Sequence, residues 1–457
     1  MMRTTRNKPC ISFTPIITVL ASLLITAICG RAHGQLWYSH PHAVIELGDF
    51  GQRLGLAYAI NDVGEITGCA WHEDGSWTAF FWRNGTIIDL GTLGGPTSVG
   101  NRINDLGEVT GNADTAVSGR HHAFYWDGST MNDLGTLNEV SNGWGINNID
   151  QIVGVTDRSE ARPVGVLWQD GQLIELDTLY DGGSGYAYDI NEQGQITGQA
   201  DDGDWWRVVL WEDGTVQDLG FYGVGKSINE ATQIVGQIGL DRNKAFLWDN
   251  GVKTNVHFIP YYDASAAEDI NEQGEIVGWI GKNAITPNAF LRTGEGQSIL
   301  LDDLVAPRSS WHLEVAYGIN ELGQITGWGK KPRDQPDFDN QAFLLTPVYP
   351  LFELSEAQPG VAGQTNTITA SGIEPGTRVY FCWSQHGGGH LIPGCDTQVN
   401  ALQIDNPKVA GTAIADGNGV ATLEGKVPAK MSGQWLLFQA VVPNKCAISN
   451  LVVQKFE

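Results

Sequence analysis

The chain of 457 residues carries 27 basic and 52 acidic side chains, a formal charge of −25. That balance excludes DNA or RNA as a partner, because a phosphate backbone is held by Lys/Arg surfaces that release counterions, and it disfavours docking on anionic lipid. Only 17% of residues are charged and 58 are Gly, while a 42% hydrophobic share with 16 Trp is ample for a core, so the composition describes a folded, turn-rich chain and not a disordered one.

The first 34 residues read as an address. Arg3, Arg6 and Lys8 precede the apolar run Ile16 to Ile28, and Ala32-His33-Gly34 places small residues at −3 and −1 of a cleavage site before Gln35. This predicts a secretory signal peptide over 1–34. The run is too short for a membrane span, and a lipoprotein reading through Cys29 fits less well because bulky Ile28 precedes it. No other stretch is long and apolar enough to cross a bilayer, so no transmembrane helix is expected in the mature chain. The expected location is secreted, periplasmic or cell-surface. Four cysteines remain there, Cys69, Cys382, Cys395 and Cys446, in an oxidising compartment.

One pattern, Ile-Asn-x-x-x-x-(Ile/Val)-x-Gly, then recurs seven times, with Asn at 61, 104, 147, 191, 229, 271 and 320. Its physical reading is a β-hairpin: a strand ends at Ile-Asn, a tight turn follows, and a residue three places on takes positive φ before the next strand. That residue is Gly in five copies, Asp150 in the third and Thr232 in the fifth. Thr is a poor fit, so the fifth hairpin is expected to be altered. A third strand follows in the manner of Ala79-Phe80-Phe81-Trp82. A fourth reads like Ile87-Ile88-Asp89-Leu90-Gly91, set off by a turn such as Asn84-Gly85. Four short strands in about 43 residues is the size of a propeller blade.

The phase of the repeat predicts closure. A lone fourth strand, Val44-Ile45-Glu46-Leu47-Gly48, precedes the first hairpin, and the chain of repeats stops at a third strand, Ala342-Phe343-Leu344. The N-terminus therefore supplies the strand missing from the last unit. An open solenoid would need polar caps at both ends, and closure removes exposed edges. The expectation is an all-β chain: a seven-bladed β-propeller of four-stranded blades over 35–346, closed by the N-terminal strand.

The linked motifs His122-Ala123-Phe124-Tyr125-Trp126, Met131-Asn132-Asp133-Leu134-Gly135-Thr136-Leu137 and Gly145-Ile146-Asn147 resemble the bacterial extracellular HAF repeat, over residues of about 40 to 346. The sixth and seventh units lack the third-strand Trp. The resemblance implies no established activity and no catalytic residues.

Pro347, Pro350 and Pro359 mark a linker. Residues 347–457 read as short alternating strands, such as Arg378-Val379-Tyr380-Phe381 and Leu436 to Val441, which suits a β-sandwich similar to Ig-like or fibronectin-like modules. Three of the four mature cysteines sit here. Four allow three full pairings. Cys395 with Cys446 is the expected disulfide, since turn residues flank both, whereas Cys69 and Cys382 read as buried thiols.

No segment carries a catalytic motif. His386-Gly-Gly-Gly-His390 has no helix to align ligands and reads as a flexible inter-strand loop rather than a metal site. Asp416-Gly-Asn418-Gly reads as a turn rather than a calcium loop. Asp201-Asp202-Gly203-Asp204 is the better calcium candidate, with a solvated loop as the plainer account. Ser184 lacks the second Gly of a nucleophile elbow. Where the repeat breaks, aromatic side chains collect: Trp205-Trp206 in unit four, Phe221-Tyr222 in the shortened connection after it, and Tyr261-Tyr262 in unit six. Such loops on a rigid frame suit stacking on a sugar or gripping a peptide. The features favour a secreted, non-catalytic binding or scaffold protein, monomeric, without cofactor, with a carbohydrate or protein partner at the cell surface. A polysaccharide-active enzyme using carboxylates at the propeller mouth and a calcium-dependent adhesin are the alternatives.

Overall fold

A computed structural model describes residues 42–158, 162–239, 243–282, 286–331, 340–395 and 401–457; the expected signal peptide lies outside them. The described chain is all β apart from three short 3-10 turns. Each repeat becomes an antiparallel sheet whose strands follow sequence order. Gly51–Ile60, Ile66–His72, Trp77–Arg83 and Thr86–Gly91 form the first. Gly94–Ile103, Val109–Thr115, His121–Trp126 and Met131–Asp133 form the second. The third holds Ser141–Ile146, Ile152–Arg158, Arg162–Gln169 and Gln172–Glu175. Units four and five share one strand, Thr215–Ile228, which ends one sheet and begins the next, so the two run together as seven strands. The short step from Asn191 to Asn229 leaves no room for a separate connection. Ala264–Ile270, Ile276–Lys282, Thr286–Arg292 and Ser298–Leu300 make the sixth unit. In the last sheet His312–Ile319, Ile325–Lys330 and Asn340–Thr346 are joined by Ala43–Glu46, with Ala43 opposite Thr346 and Glu46 opposite Phe343. Successive four-stranded antiparallel sheets of this kind make a β-propeller.

The repeated Asn builds the turn through its side chain. Asn61 Oδ1 accepts the Glu65 N–H at 2.8 Å, and its Nδ2 donates to the Glu65 carboxylate at 2.8 Å. The fifth turn is not altered, contrary to the sequence expectation. Thr232 takes φ +59° and donates its N–H to the Asn229 carbonyl at 3.0 Å, as Gly64 does to Asn61. The Asn229 bonds to Gln233 hold the turn shape and force a β-branched residue into the left-handed region.

The closing Gly of the pattern has a steric cause. A Cβ at Gly68, Gly111, Gly154, Gly198, Gly236, Gly278 or Gly327 would overlap a carbonyl oxygen of the unit's first strand: Leu56, Val99, Asn142, Tyr186, Val224, Ala266 or Val315 respectively. A register shift in each first strand just beyond that residue presses the carbonyl against the second strand. Third-strand aromatics fill the space between neighbouring sheets. Trp82, Phe80, Phe124, Phe246, Phe290 and Phe343 are fully buried, and the Nε1 of Trp168 and of Trp211 reach carbonyls of the preceding unit, Leu134 at 3.0 Å and Asp177 at 2.7 Å.

The described C-terminal residues form two larger sheets and a two-stranded one. One holds Glu353–Leu354, Thr365–Ser371 and Val420–Lys426; the other holds Lys408–Ile414, Arg378–Ser384 and Trp435–Val442, with Ala447–Ile448 and Val452–Lys455 alongside the last. Their core gathers Phe381, Phe438, Phe456 and Ile368. Cys395 is disulfide-bonded to Cys446, and Cys69 and Cys382 are free and buried. The His386-to-His390 stretch is not a flexible loop. Gly387–Leu391 is a strand paired with Ala401–Ile404, and a Cβ at Gly389 would overlap the Val44 backbone. Gly389 lets this hairpin lie against Ala43–Glu46, and Gly387 lets it approach the Ala306–Pro307 backbone. Ile45, Phe80, Leu402, Leu437 and Ile448 accordingly share one hydrophobic cluster, and Lys331 pairs with Asp405 at 2.9 Å.

Candidate functional site

The first strands of the units face one another around a central cavity, and their sequence positions relative to the repeat Asn decide what lines it. At the Asn end, each Asn donates Nδ2 to the carbonyl of the next: Asn61 to Asn104 at 2.8 Å, then Asn104 to Asn147, Asn147 to Asn191, Asn191 to Asn229, Asn229 to Asn271 and Asn271 to Asn320 at 3.1–3.2 Å. Asn320 donates to the Asn61 carbonyl at 2.9 Å. The following residue repeats the scheme with a side-chain acceptor. Backbone N–H groups of Asp62, Asp105, Asn148, Glu192, Glu230, Glu272 and Glu321 bond the side chains of Asp105, Asn148, Glu192, Glu230, Glu272, Glu321 and Asp62 in turn, at 2.8–3.0 Å. Six carboxyls are thus crowded at this end. Burial holds Asp62, Glu192 and Glu272 above the usual carboxylate range, and pushes Glu321 up to about 7.

Two residues before the repeat Asn, unit two carries Arg102 and units four and six carry Asp189 and Asp269. The Arg102 guanidinium reaches Asp189 at 3.1 Å and Asp269 at 3.0 Å. Asp189 also accepts the Ile228 N–H at 3.1 Å, and Asp269 accepts the Ile319 N–H at 3.0 Å and the Ser227 hydroxyl at 2.8 Å. This ionic bridge spans three units and divides the cavity. Arg102 lines both a polar pocket of about 180 Å³ at the Asn end and a second of about 320 Å³ beyond it.

The second pocket is lined by the residue three before each Asn: Tyr58, Asn101, Trp144, Tyr188, Lys226, Glu268 and Tyr317. Here the repeat varies from unit to unit. Trp144 stacks on Tyr188 with centroids 4.7 Å apart and planes at 15°, and Tyr58 meets Tyr317 at 5.0 Å. Burial pushes the Tyr188 and Tyr317 hydroxyls up to about 12, so both stay neutral donors. Lys226 Nζ contacts both Glu268 oxygens at 2.6 and 2.7 Å, and Trp279 Nε1 donates to the same carboxylate at 3.0 Å. An aromatic face, neutral hydroxyls and a charged pair therefore share one mouth.

The sequence-selected aromatics distribute unevenly around it. Trp206, part-exposed, lies 5.2 Å from Tyr186, whose ring is 5.8 Å from Trp144. Trp206, which opens the third strand of unit four, thereby continues the mouth outward in the order Trp144, Tyr188, Tyr186, Trp206. Trp205 meets Tyr222 edge-on at 6.3 Å, with the Arg207 guanidinium 4.6 Å above the Tyr222 ring. Phe221 does not face solvent with them; it packs edge-on against buried Phe246 at 5.0 Å. Tyr262 packs against the unit-six core, while Tyr261 is 91% exposed. The Asp201–Asp204 loop is closed by its own backbone, Asp202 Oδ1 accepting the Asp204 and Trp205 N–H groups at 3.1 and 2.8 Å. Among the described residues, no group of three or more His, Cys, Asp or Glu side chains is placed to hold a metal. Sequence reasoning missed Trp144, Tyr186, Tyr188, Lys226 and Glu268. For all but Tyr186 the signal was available as the position three before the repeat Asn, whose chemistry changes from unit to unit while the residue preceding it is Ala or Gly in every copy.

No family model matches the chain, and no curated protein matches it. Among solved structures, a gluconolactonase from Xanthomonas campestris is similar at 12% identity over 67% of this chain and 90% of its own, with a TM-score of 0.34. TolB from Acinetobacter baumannii is similar at 11% identity over 52% and 63%, TM-score 0.36. An acylaminoacyl peptidase from Pyrococcus horikoshii is similar at 11% over 73% and 61%, TM-score 0.40. Nothing about the activity of this chain follows from them. No described helix is long and apolar enough to cross a membrane.

Proposed function

We propose that this is an extracellular, non-catalytic binding protein of the HAF-repeat kind: a closed seven-bladed β-propeller that presents a glycan-binding mouth, with a β-sandwich attached to the closing blade. Closure is supported by the bonds from unit seven back to unit one, Asn320 to the Asn61 carbonyl and the Glu321 N–H to Asp62, and by the pairing of Ala43–Glu46 with Asn340–Thr346. The single observation carrying the binding role is the stacked Trp144–Tyr188 pair, continued outward by Tyr186 and Trp206. A sugar ring offers an apolar C–H face to an aromatic plane and hydroxyls to the Lys226–Glu268 pair, so both halves of its chemistry are met. The carboxylates near the mouth are committed to cations, Glu268 to Lys226 and the two aspartates to Arg102, which favours a gripping role over acid–base catalysis.

A glycan array probed with the mature chain tests this. Binding should weaken at least tenfold in Trp144→Ala and in Tyr188→Ala, while Tyr261→Ala leaves it unchanged. Equal binding by all three variants sinks the assignment, and turnover of a polysaccharide that disappears in Glu268→Gln overturns the non-catalytic part.

A further inference from the structure

A second cavity lies away from this mouth, in the C-terminal sandwich, where the edge strands Lys408–Ile414 and Val420–Lys426 part and leave a space of about 570 Å³. Its floor is the sandwich core itself, including Phe381, Phe438 and Met431. Its rim is cationic: Lys408, Lys426 and Lys430 line it, and among the described residues no Asp or Glu does. Half of the six basic residues of 347–457 therefore edge one opening, in a chain whose net charge is −25. The Lys408 ammonium stands 5.4 Å over the Trp383 ring at the same opening. The polar side chain in the wall, Asn366, is spent on the backbone of Gly360, Val361 and Gln364.

An apolar slot of this size is in the range of small-molecule sites, roughly 300–1,000 Å³. Its polar demand is met by one anionic group at the mouth. We propose that this cavity binds a single-chain anionic amphiphile, its hydrocarbon chain between the two sheets and its head among the three lysines. The charge pattern selects against a cationic or neutral head. The apolar depth selects for chain length, each buried methylene strengthening binding by roughly fourfold.

The probe is 1-anilinonaphthalene-8-sulfonate, an apolar anion, titrated into the mature chain and displaced with dodecanoate. One probe should bind per chain. Dodecanoate should displace it at least tenfold better than octanoate, and dodecyltrimethylammonium should fail. Lys426→Glu/Lys430→Glu should weaken dodecanoate at least tenfold, and Ala410→Trp should block the opening. All these positions are exposed, so the fold is expected to persist, and Lys408→Glu is the second variant should either be lost. The proposal is overturned if the cationic detergent competes equally, if the lysine variants bind as the parent does, or if Ala410→Trp retains the probe. Capture by dodecanoate-doped phosphatidylcholine vesicles without binding of free dodecanoate overturns it as well.

Discussion

Removing the Arg102 side chain should be the most informative single perturbation of the propeller. Arg102 holds Asp189 at 3.1 Å and Asp269 at 3.0 Å with side-chain exposures of 16% and 10%. At an effective dielectric near 20 each contact is worth about 5 kcal/mol of Coulomb energy, most of it offset by desolvating three ions. Arg102→Met leaves two buried carboxylates facing each other, with only the Ile228 and Ile319 N–H groups and the Ser227 hydroxyl as partners. Breaking a buried pair on one side costs about 3–5 kcal/mol, or on the order of 6–10 °C in Tm for a domain of this size. The loss should depend on pH. Burial already holds Asp189 above its ordinary value and the Arg102 charge pulls it down, so without the guanidinium the variant keeps its stability in acid and loses it as pH rises. Arg102→Met/Asp189→Asn/Asp269→Asn should recover to within about 2 kcal/mol of the parent, because the charges leave together. Scanning calorimetry at pH 5 and pH 8 decides the matter. A single variant melting within 2 °C of the parent (roughly 1 kcal/mol) at both pH values, or a triple variant no better than the single, refutes the reasoning.

Thr232→Gly should raise stability by about 1 kcal/mol despite losing the Thr232–Gln195 bond, because φ +59° costs a β-branched residue more than it costs Gly; a lower urea midpoint than the parent's contradicts this. Glu321 sits at about 7 against an ordinary 4.5. Its contribution to stability is therefore full below about 4.5 and lost as pH rises through 7. Discounted for partial solvent screening, this is on the order of 1–2 kcal/mol; Glu321→Gln should melt higher than the parent at pH 8 and equally at pH 4, and identical differences at both pH values would falsify the assignment. Gly198→Ala drives a Cβ into the Tyr186 carbonyl and should cost at least about 3 kcal/mol while displacing the Tyr186–Tyr188 stretch of the mouth, read as a lower Tm together with weakened glycan binding.

The residues differ in how far their roles could be read from the sequence. The turn Asn, the residue of positive φ and the second-strand Gly act within one hairpin, across a few residues, so their period alone predicts the strands. The lone Val44-Ile45-Glu46 segment matched the unfinished last unit because pairing is a matter of counting strands, and its pairing with Asn340–Thr346 follows. Phe221 misled because an aromatic in a loop and an aromatic folded back on Phe246 look alike in sequence. The glycines around His386 misled in the same way, since chain flexibility and close packing both call for Gly.

What the sequence determined by itself is whatever depends on neighbours along the chain: strand, turn, period and excess negative charge. The tertiary structure decided what converges. Trp144 and Tyr188 are 44 residues apart in sequence and 4.7 Å apart in space, and Arg102 meets Asp269 across 167 positions. No local propensity encodes such meetings, because they arise only when successive sheets are arranged about one central cavity and each first strand brings the same numbered position to the same height.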